Sequence, residues 1–534
     1  MPSSHQTRPA GEHMSITEDQ TGVIELLGAP ATHGGAPVER IETHISIVFL
    51  AGSRAWKLKR AVRLDYIDSS TSDRRKTLCE KEVQLNRRTA TSLYLGVVAV
   101  TREADGSLTL GGSGTPIDWV VEMNRFDQGG LFDRLAQQGR LDVAMMARLA
   151  VAVAGFHREA APRRDHGGTA GMRWVVEGNA TGFLEFGSGL LDPTTVARVI
   201  GNTRRVLDKS ASLLDRRREA GFVRQCHGDL HLRNIVLYNG IPTPFDGIEF
   251  NDEIACVDVL YDLAFLLMDL WRLELPAHAS AVWNRYLTET EDLGGIGLMP
   301  LFLSCRAAIR AKTNATALSV QTESVRVREL QASAREYLVM AERLLNPLPP
   351  CLVAIGGLSG SGKSTIAAAL APHLGAVPGA IVLRSDEIRK QICGAPTLTR
   401  LGPEGYATEI TNKVYETLIE RAGLILRGGF TAIVDATSLR VTDRQAIEAL
   451  ARAAMVPFIG LWLEGPVQTL LERLQHREHD ASDADATVLH RQRAQDVGVM
   501  SWHRLDSSAP IGVVREKALS LLRGHVNDAP VTPT

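Results

Sequence analysis

Residues 354–365 read AIGGLSGSGKST. Within them Gly357, Gly362, Lys363 and Ser364 stand in the spacing G-x-x-x-x-G-K-[ST]. The apolar run 352–355 just before predicts a buried strand, and 366–370 just after predicts a helix. Glycines let the backbone curl until successive N–H groups converge on phosphate oxygens. The helix behind them presents its positive end to the same charge. In this pattern Lys363 reaches the β- and γ-phosphates and the Ser364 hydroxyl takes Mg²⁺. Ser359, Gly360, Ser361 and Thr365 complete the expected nucleotide cradle with the residues of the motif.

Working outward on the C-terminal side, strand and helix patterns alternate from Cys351 onward. That predicts a parallel sheet covered on both faces. Further strands are expected at 380–384, 431–435 and 458–463. The first delivers Ser385-Asp386-Glu387-Ile388-Arg389, a D-x-x-R at a strand's carboxyl end, where ligands of such sheets sit. Asp386 is the candidate base toward a substrate hydroxyl. Arg389, one helical turn on, is the candidate partner of substrate or of the phosphoryl group in transfer. Asp435 stands where P-loop enzymes keep their second Mg²⁺-linked acid. It is followed by alanine, not by the glutamate with which a motor ATPase activates water. The N-K-x-D of G proteins is not met, since Asn412-Lys413 leads to Tyr415. A helix–loop–helix over 469–492 carries Arg473 and Arg477, expected to close over ATP as a lid.

A second chemical stretch lies at 226–246, CHGDLHLRNIVLYNGIPTPFD. His227, Asp229 and Asn234 have the spacing H-x-D-x-x-x-x-N. A strand at 235–238, the turn Asn239-Gly240 and a return at 243–245 bring Asn234 nearly opposite Asp246. An amide oxygen and a carboxylate at the open end of a hairpin outline a Mg²⁺ site. Asp229 is placed to accept a proton from a hydroxyl nucleophile, and His227 to brace the loop. Upstream, a strand at 55–59 carries Lys57 and Lys59 on one face and Trp56 and Leu58 on the other. A charged helix over 72–90 holds Glu80 and Glu82.

This arithmetic is that of the protein-kinase catalytic loop followed by its metal aspartate. HGDLHLRN, the later Asp246 and the helix VLYDLAFL resemble the aminoglycoside phosphotransferase and choline-kinase branch of that superfamily. The resemblance implies that Lys57 holds the α- and β-phosphates and that Glu82 orients it, with Lys59 and Glu80 as competitors that spacing does not separate. It implies a hinge at 120–123, where the backbone of Met123 meets adenine, and it assigns Asn234 and Asp246 to Mg²⁺. The Gly-rich loop departs from the pattern, since Ala51-Gly52-Ser53-Arg54 is no G-x-G-x-x-G. Likewise GGLSGSGKST, RSDEIRK and VDATS resemble the P-loop kinase group of gluconate kinase, polynucleotide 5′-kinases and zeta-toxin-like sugar-nucleotide kinases. The two halves together resemble a bacterial two-domain family of aminoglycoside phosphotransferase-like and AAA-type ATP-binding character. Asp258, Asp262 and Arg306 read as helix-surface charges or satisfied structural pairs in preference to substrate contacts.

The fold expected is an α+β protein-kinase-like domain followed by an α/β P-loop kinase domain with a parallel sheet. The divisions are a disordered start at 1–21, the first domain at 22–345, a Pro-rich linker at 346–350, the second domain at 351–525 and a disordered tail at 526–534. The chain has 534 residues, enough for two or three cores, 44% apolar and 22% charged. A net charge of −2 and the lack of a basic stripe give no electrostatic case for nucleic acid or an anionic membrane. Six scattered cysteines without a C-x-x-C pair fit a reducing cytoplasm. The expectation is a cytoplasmic ATP- and Mg²⁺-dependent kinase acting on a small-molecule hydroxyl. The acceptor and the oligomeric state are not written in the sequence.

Overall fold

A computed structural model of the chain describes residues 17–64, 66–318, 321, 323–476 and 480–527. The expected disordered start lies outside the described residues up to position 16. From Thr17 onward the chain is docked: the Thr17 N–H donates to Ala61 O, and Gln20, buried, donates to Lys59 O and Asp118. The expected tail lies outside the described residues from position 528. The chain forms two compact units, Met1–Leu141 with Gly155–Gly167 and Arg218–Asp262, and the remainder.

The first unit is built on a six-stranded antiparallel sheet. Its spatial order is Val38–Glu42, Ser46–Ala51, Arg54–Lys59, Thr115–Asn124, Tyr94–Arg102 and Leu108–Leu110. Alternation along Arg54–Lys59 sorts its side chains between two cores. Trp56 and Leu58 join Ile47, Phe49 and Val120 on the face covered by helix Thr21–Gly28 through Val23 and Leu27. Ala55 joins Leu50, Tyr94 and Val121 on the other face, under Cys79 and Val83 of helix Ser72–Asn86. Thr71 caps that helix by accepting from Arg74 N–H, as a β-region threonine does for an orphan helical donor. The strand Val38–Glu42 and the helix Thr21–Gly28 were not expected from periodicity. The first exposes most of its residues and the second is two turns long, too short for a pattern to declare itself.

The same unit holds the hairpin of Ile235–Tyr238 with Ile241–Pro244. Tyr238 pairs with Ile241, so Asn239-Gly240 is a two-residue turn, and both residues take positive φ, 51° and 76°. Those are the backbone angles that match the twist of a tight hairpin.

The second unit contains a five-stranded parallel sheet in the order Ile381–Arg384, Ala432–Asp435, Leu352–Gly357, Phe458–Glu464 and His503–Asp506. Val353, Ile355, Ile433, Leu461 and Leu463 form its core with Ile366, Leu370 and Leu519 from the covering helices. The edge strand Ile381–Arg384 is met by helix Pro276–Thr290 of the same unit. The Asn284 side chain donates from Nδ2 to Ala380 O (3.1 Å) and accepts from Val382 N–H at Oδ1 (2.7 Å). One carboxamide thereby gives the edge the two bonds that a further strand would give it. Beside it Trp283 is buried against Phe430, with ring centroids 5.8 Å apart. A helix upstream of the Pro347–Pro350 stretch therefore packs directly on the parallel sheet. All six cysteines are free, and only Cys393 is exposed. Among the described residues no helix is long and apolar enough to cross a membrane.

Candidate functional site

In the first unit Lys57 and Lys59 point together toward helix Ser72–Asn86, and Glu82 meets both. Its Oε1 lies 2.8 Å from Lys57 Nζ and its Oε2 2.6 Å from Lys59 Nζ. Glu80 is on the outer surface, 4.0 Å from Lys76. The glutamate left open by spacing is thus Glu82. Lys57 also contacts Asp246 Oδ1 at 2.5 Å, whereas the second partner of Lys59 is the buried Glu249. Burial alone would push Lys57 toward neutrality, but the Asp246 and Glu82 carboxylates outweigh it and hold its pKa well above the ordinary range. Burial would likewise raise Glu82, yet the two ammonium groups bring it down to about 2. Burial raises Glu249, and the neighbouring charge of Glu82 adds to that rise against the pull of Lys59.

The loop ahead of the hairpin is held from beneath by Asp262, a fully buried residue. Asp262 accepts from the N–H groups of His227 (3.2 Å) and Gly228 (2.8 Å) and from His157 Nε2 (3.0 Å). Its role is structural, in keeping with the reading of it as a satisfied pair. His227 Nε2 donates to Phe245 O at 2.9 Å, which ties the loop to the residue before Asp246 and gives His227 the bracing role expected of it. Asn234 Nδ2 donates to Asp229 at both the backbone O (3.1 Å) and Oδ2 (3.0 Å), leaving its amide oxygen as the atom it can offer a cation. Phe245 N–H donates to Asn234 O at 2.9 Å, so Asn234 and Asp246 flank the bond that closes the hairpin. Asp246 has φ 61°, a left-handed conformation costly for a non-glycine residue, and its N–H donates to Tyr94 Oη at 3.1 Å. Lys57, Glu82, Asp229, Asn234 and Asp246 are brought together. Met123 lies inside the sheet, paired with Ala55 on one side and Tyr94 on the other, with its side chain in the core under the helix, so the hinge role expected of it falls to its backbone alone. The pairing of Ala51 with Arg54 leaves Gly52-Ser53 as the whole turn between the first strands.

In the second unit Leu352–Gly357 is buried throughout and runs into the loop before helix Lys363–Leu370. Gly357, Gly360 and Gly362 take φ of 136°, 82° and 85°. A Cβ on Gly357 would meet Leu463 O at 2.4 Å, and one on Gly360 would meet Leu470 O at 2.6 Å. Conformation and space together require glycine at both. The loop opens on a cleft of about 1430 Å³ whose walls include Lys363, Ser364, Asp386, Asp435 and Arg473. Lys363 Nζ donates to Leu358 O at 3.0 Å, and the Ser359 N–H is taken by Gln492 Oε1 at 2.8 Å. Burial raises Asp435; Arg384, Lys363 and a hydrogen bond from Ser364 pull the other way.

Arg389 differs from its expected part. It lines the same cleft but is buried there: its Nη1 donates to Gly405 O at 2.8 Å and its guanidinium stacks on the Tyr406 ring at 4.8 Å, which ties it to the 403–411 segment as well. Arg473 lines the cleft and donates to Ser507 O at 2.8 Å. Arg477 lies outside the described residues. Two basic residues escaped the sequence reading. Arg384 Nε is 3.5 Å from Asp435 Oδ2, while its Nη2 donates to Asp480 at 2.8 Å and its Nη1 to Glu387 at 3.1 Å. Lys390, fully buried, makes bonds of 2.7 and 2.6 Å to the two oxygens of Asp483. Both cations stand beside the D-x-x-R motif, but apart from Glu387 their acidic partners lie some 50 to 100 residues downstream.

The donor sets fit Mg²⁺ and phosphate. Ser364, Asp435, Asn234 and Asp246 offer hard oxygen ligands of the kind Mg²⁺ takes. The Ser361 Oγ is buried with no hydrogen-bond partner among the described residues, at the centre of a loop that needs glycine on either side.

Residues 352–496 match the family model AAA_33, an AAA domain. An uncharacterized protein of Mycobacterium tuberculosis strain H37Rv is 27% identical over 480 residues, covering 88% of this chain and 92% of its own. An adenylyl-sulfate kinase of Myxococcus xanthus is 31% identical over 117 residues, 22% of this chain and 59% of that protein. Among solved structures, a choline/ethanolamine kinase family protein of Mesorhizobium loti aligns with 60% of this chain and 97% of its own, at 13% identity and a TM-score of 0.35. The AAA_33 match thus spans the glycine loop with Lys363 and Ser364, and Asp386 and Asp435 of the same cleft.

Proposed function

We propose that this protein is a Mg·ATP-dependent phosphotransferase with two nucleotide sites in one chain, each directed at a hydroxyl of a small molecule. The observation that carries the reading is the cleft in which Lys363, Ser364, Asp386 and Asp435 share one wall system at the carboxyl ends of a parallel sheet. In that site Lys363 and the loop N–H groups bind the β- and γ-phosphates, Ser364 and Asp435 hold the cation, and Asp386 accepts the proton of the acceptor hydroxyl. Arg473 and Arg477 are assigned to the lid. In the first unit Asp229 takes the corresponding proton, Lys57 grips the phosphates with Glu82 behind it, and Asn234 and Asp246 hold the cation. Mg²⁺, when held by these residues, would supply charge neutralisation for the phosphoryl group in transfer. What the chain contributes is position and a prepared field, the two contributions on which phosphoryl transfer depends. Free cysteines and the need for ATP suit the cytoplasm.

A second reading, in which only the P-loop half turns over, is favoured by the two-residue turn Gly52-Ser53. A turn that short has no backbone left over to fold across phosphates. The test is ATP consumption against a panel of hydroxyl acceptors with Asp229→Ala and Asp386→Ala. Loss with both variants supports two active sites, and loss with Asp386→Ala alone supports the second reading. A sensor that binds ATP without chemistry would show acceptor-independent binding and no turnover in any variant.

A further inference from the structure

Five side chains of the first unit form an unbroken ladder of alternating charge: Asp246, Lys57, Glu82, Lys59, Glu249. The successive contacts are 2.5 Å, 2.8 Å, 2.6 Å and the ion pair of Lys59 with Glu249. Side-chain exposure along the same order is 44%, 14%, 0%, 3% and 4%. The ladder therefore has an open end at Asp246 and a closed end at Glu249. Two of its members, Lys59 and Glu249, have no part in the phosphotransfer roles assigned above. Yet they are buried charges, which a fold keeps only when they are paired.

Glu82 explains what they do. A carboxylate bonded at one oxygen can swing about its last torsion. Here Oε2 is taken by Lys59, so Oε1 is aimed at Lys57 and nowhere else. Lys59 in turn would compete with Lys57 for Glu82 if it had no other partner, and Glu249 supplies one. Glu249 follows Asp246 by three residues, so the same pair pins the segment bearing Asp246 to strand Arg54–Lys59. When phosphate takes Lys57 and a cation takes Asp246, the contact between those two is released while the inner three members stay as they are.

On the reading of the first unit as a nucleotide site, we infer that Lys59 and Glu249 are positioning residues. They form a buried anchor that fixes Glu82 and thereby holds Lys57 at the phosphate side. Remove Lys59 alone, and Glu249 loses its ion-pair partner while Glu82 is left with Lys57 only; Lys57 is drawn inward to serve both and leaves the phosphates.

The test uses full-length protein bearing Lys363→Ala, so that a fluorescent ATP analogue with Mg²⁺ reports on the first unit. Four further variants are compared on that background: Lys57→Met, Lys59→Met, Glu249→Gln, and Lys59→Met with Glu249→Gln together. Each is measured for analogue Kd and for Tm. Lys57→Met is expected to abolish binding and Lys59→Met to raise Kd at least tenfold. The double variant, which removes both buried charges, should recover most of the Tm lost in Lys59→Met while its Kd stays raised at least fivefold. A double variant that recovers Kd along with Tm would overturn the inference and leave Lys59–Glu249 a packing pair. Equal binding by Lys59→Met and the parent would do the same. Failure of the parent to bind the analogue at all would instead overturn the nucleotide-site reading on which the inference rests.

Discussion

Lys57 and Lys59 differ by two positions, face the same way and touch the same glutamate, yet depth separates them. Lys57 reaches Asp246 at the open end, and Lys59 ends on a buried carboxylate. Sequence spacing could not resolve this, because a period of two places both lysines on one face and burial is set by strands that arrive later in the chain. His227 shows the same dependence on context. Burial lowers its pKa from the usual 6.5, because a charged imidazole would lose its hydration there. The neutral form is the one the fold accepts. Its contribution is complete above the unfolded value of 6.5 and falls away as the pH drops below it. The hydrogen-exchange protection factor of the Gly228 amide, taken relative to the intrinsic exchange rate at each pH, should fall on acidification from pH 7 to pH 5.5, and His227→Asn should flatten that dependence. A Gly228 amide indifferent to pH in the parent would remove the bracing role of this histidine. In the phosphate loop, Gly360→Ala forces a Cβ to within 2.6 Å of Leu470 O at a φ of 82°. It should cost about 1–3 kcal/mol in denaturant unfolding and should weaken ATP binding at Lys363. A variant with parental stability would show that the loop can relax.

At the scale of elements, the strand, loop and helix spanning Leu352–Gly357 and Lys363–Leu370 were legible in the sequence because everything they need is local. Glycines stand where φ is positive, apolar residues run into the loop and an alanine-rich helix leaves it. The hairpin after Asn234 was legible for the same reason, through Asn239-Gly240. Other parts were hidden by distance. The helical spacing of Arg389 to Asp386 gives its place in the cleft but not its contacts with Gly405 and Tyr406. The 403–411 segment that captures it has no periodic relation to that helix. The fifth strand, His503–Asp506, has only one buried residue, so no apolar run announced it. Nor could a pattern foresee that Asn284, on a helix nearly 100 residues upstream, finishes the edge of the parallel sheet. Asn284→Ala would strip the bonds from Ala380 O and Val382 N–H while leaving the helix packed. Unsatisfied backbone groups of this kind cost about 1–3 kcal/mol each when buried. A fall in Tm is expected for Asn284→Ala, partly restored in Asn284→Gln if the longer amide reaches either group. An unchanged Tm in Asn284→Ala would mean that water replaces the carboxamide without loss.

On the function proposed above, the whole molecule carries two unlike solutions to holding phosphate. One is a strand lysine set by a helix glutamate, and the other is a glycine loop at a helix start. The second unit does not begin at the Pro347–Pro350 stretch, because Pro276–Thr290 and the parallel sheet, both within it, share buried Trp283 and the Asn284 bridge. A fragment beginning at Cys351 would expose that sheet edge, and bare edges recruit other chains. Such a fragment should be less stable than one beginning at Pro276 and should self-associate with rising concentration in sedimentation experiments. A monomeric fragment from Cys351 with the stability of the longer one would show that the helix is dispensable. The central claim, that this chain transfers phosphate from ATP, is tested most directly by Mg²⁺-dependent ATP turnover. The assay would use a pooled panel of sugars, amino alcohols, aminoglycosides, nucleosides and 5′-hydroxyl oligonucleotides, with parent, Asp229→Ala and Lys363→Ala compared. The account predicts an acceptor-dependent rate that falls at least a hundredfold in one or both variants. A parent that binds ATP yet gives no acceptor-dependent turnover, unchanged by either substitution, would contradict it.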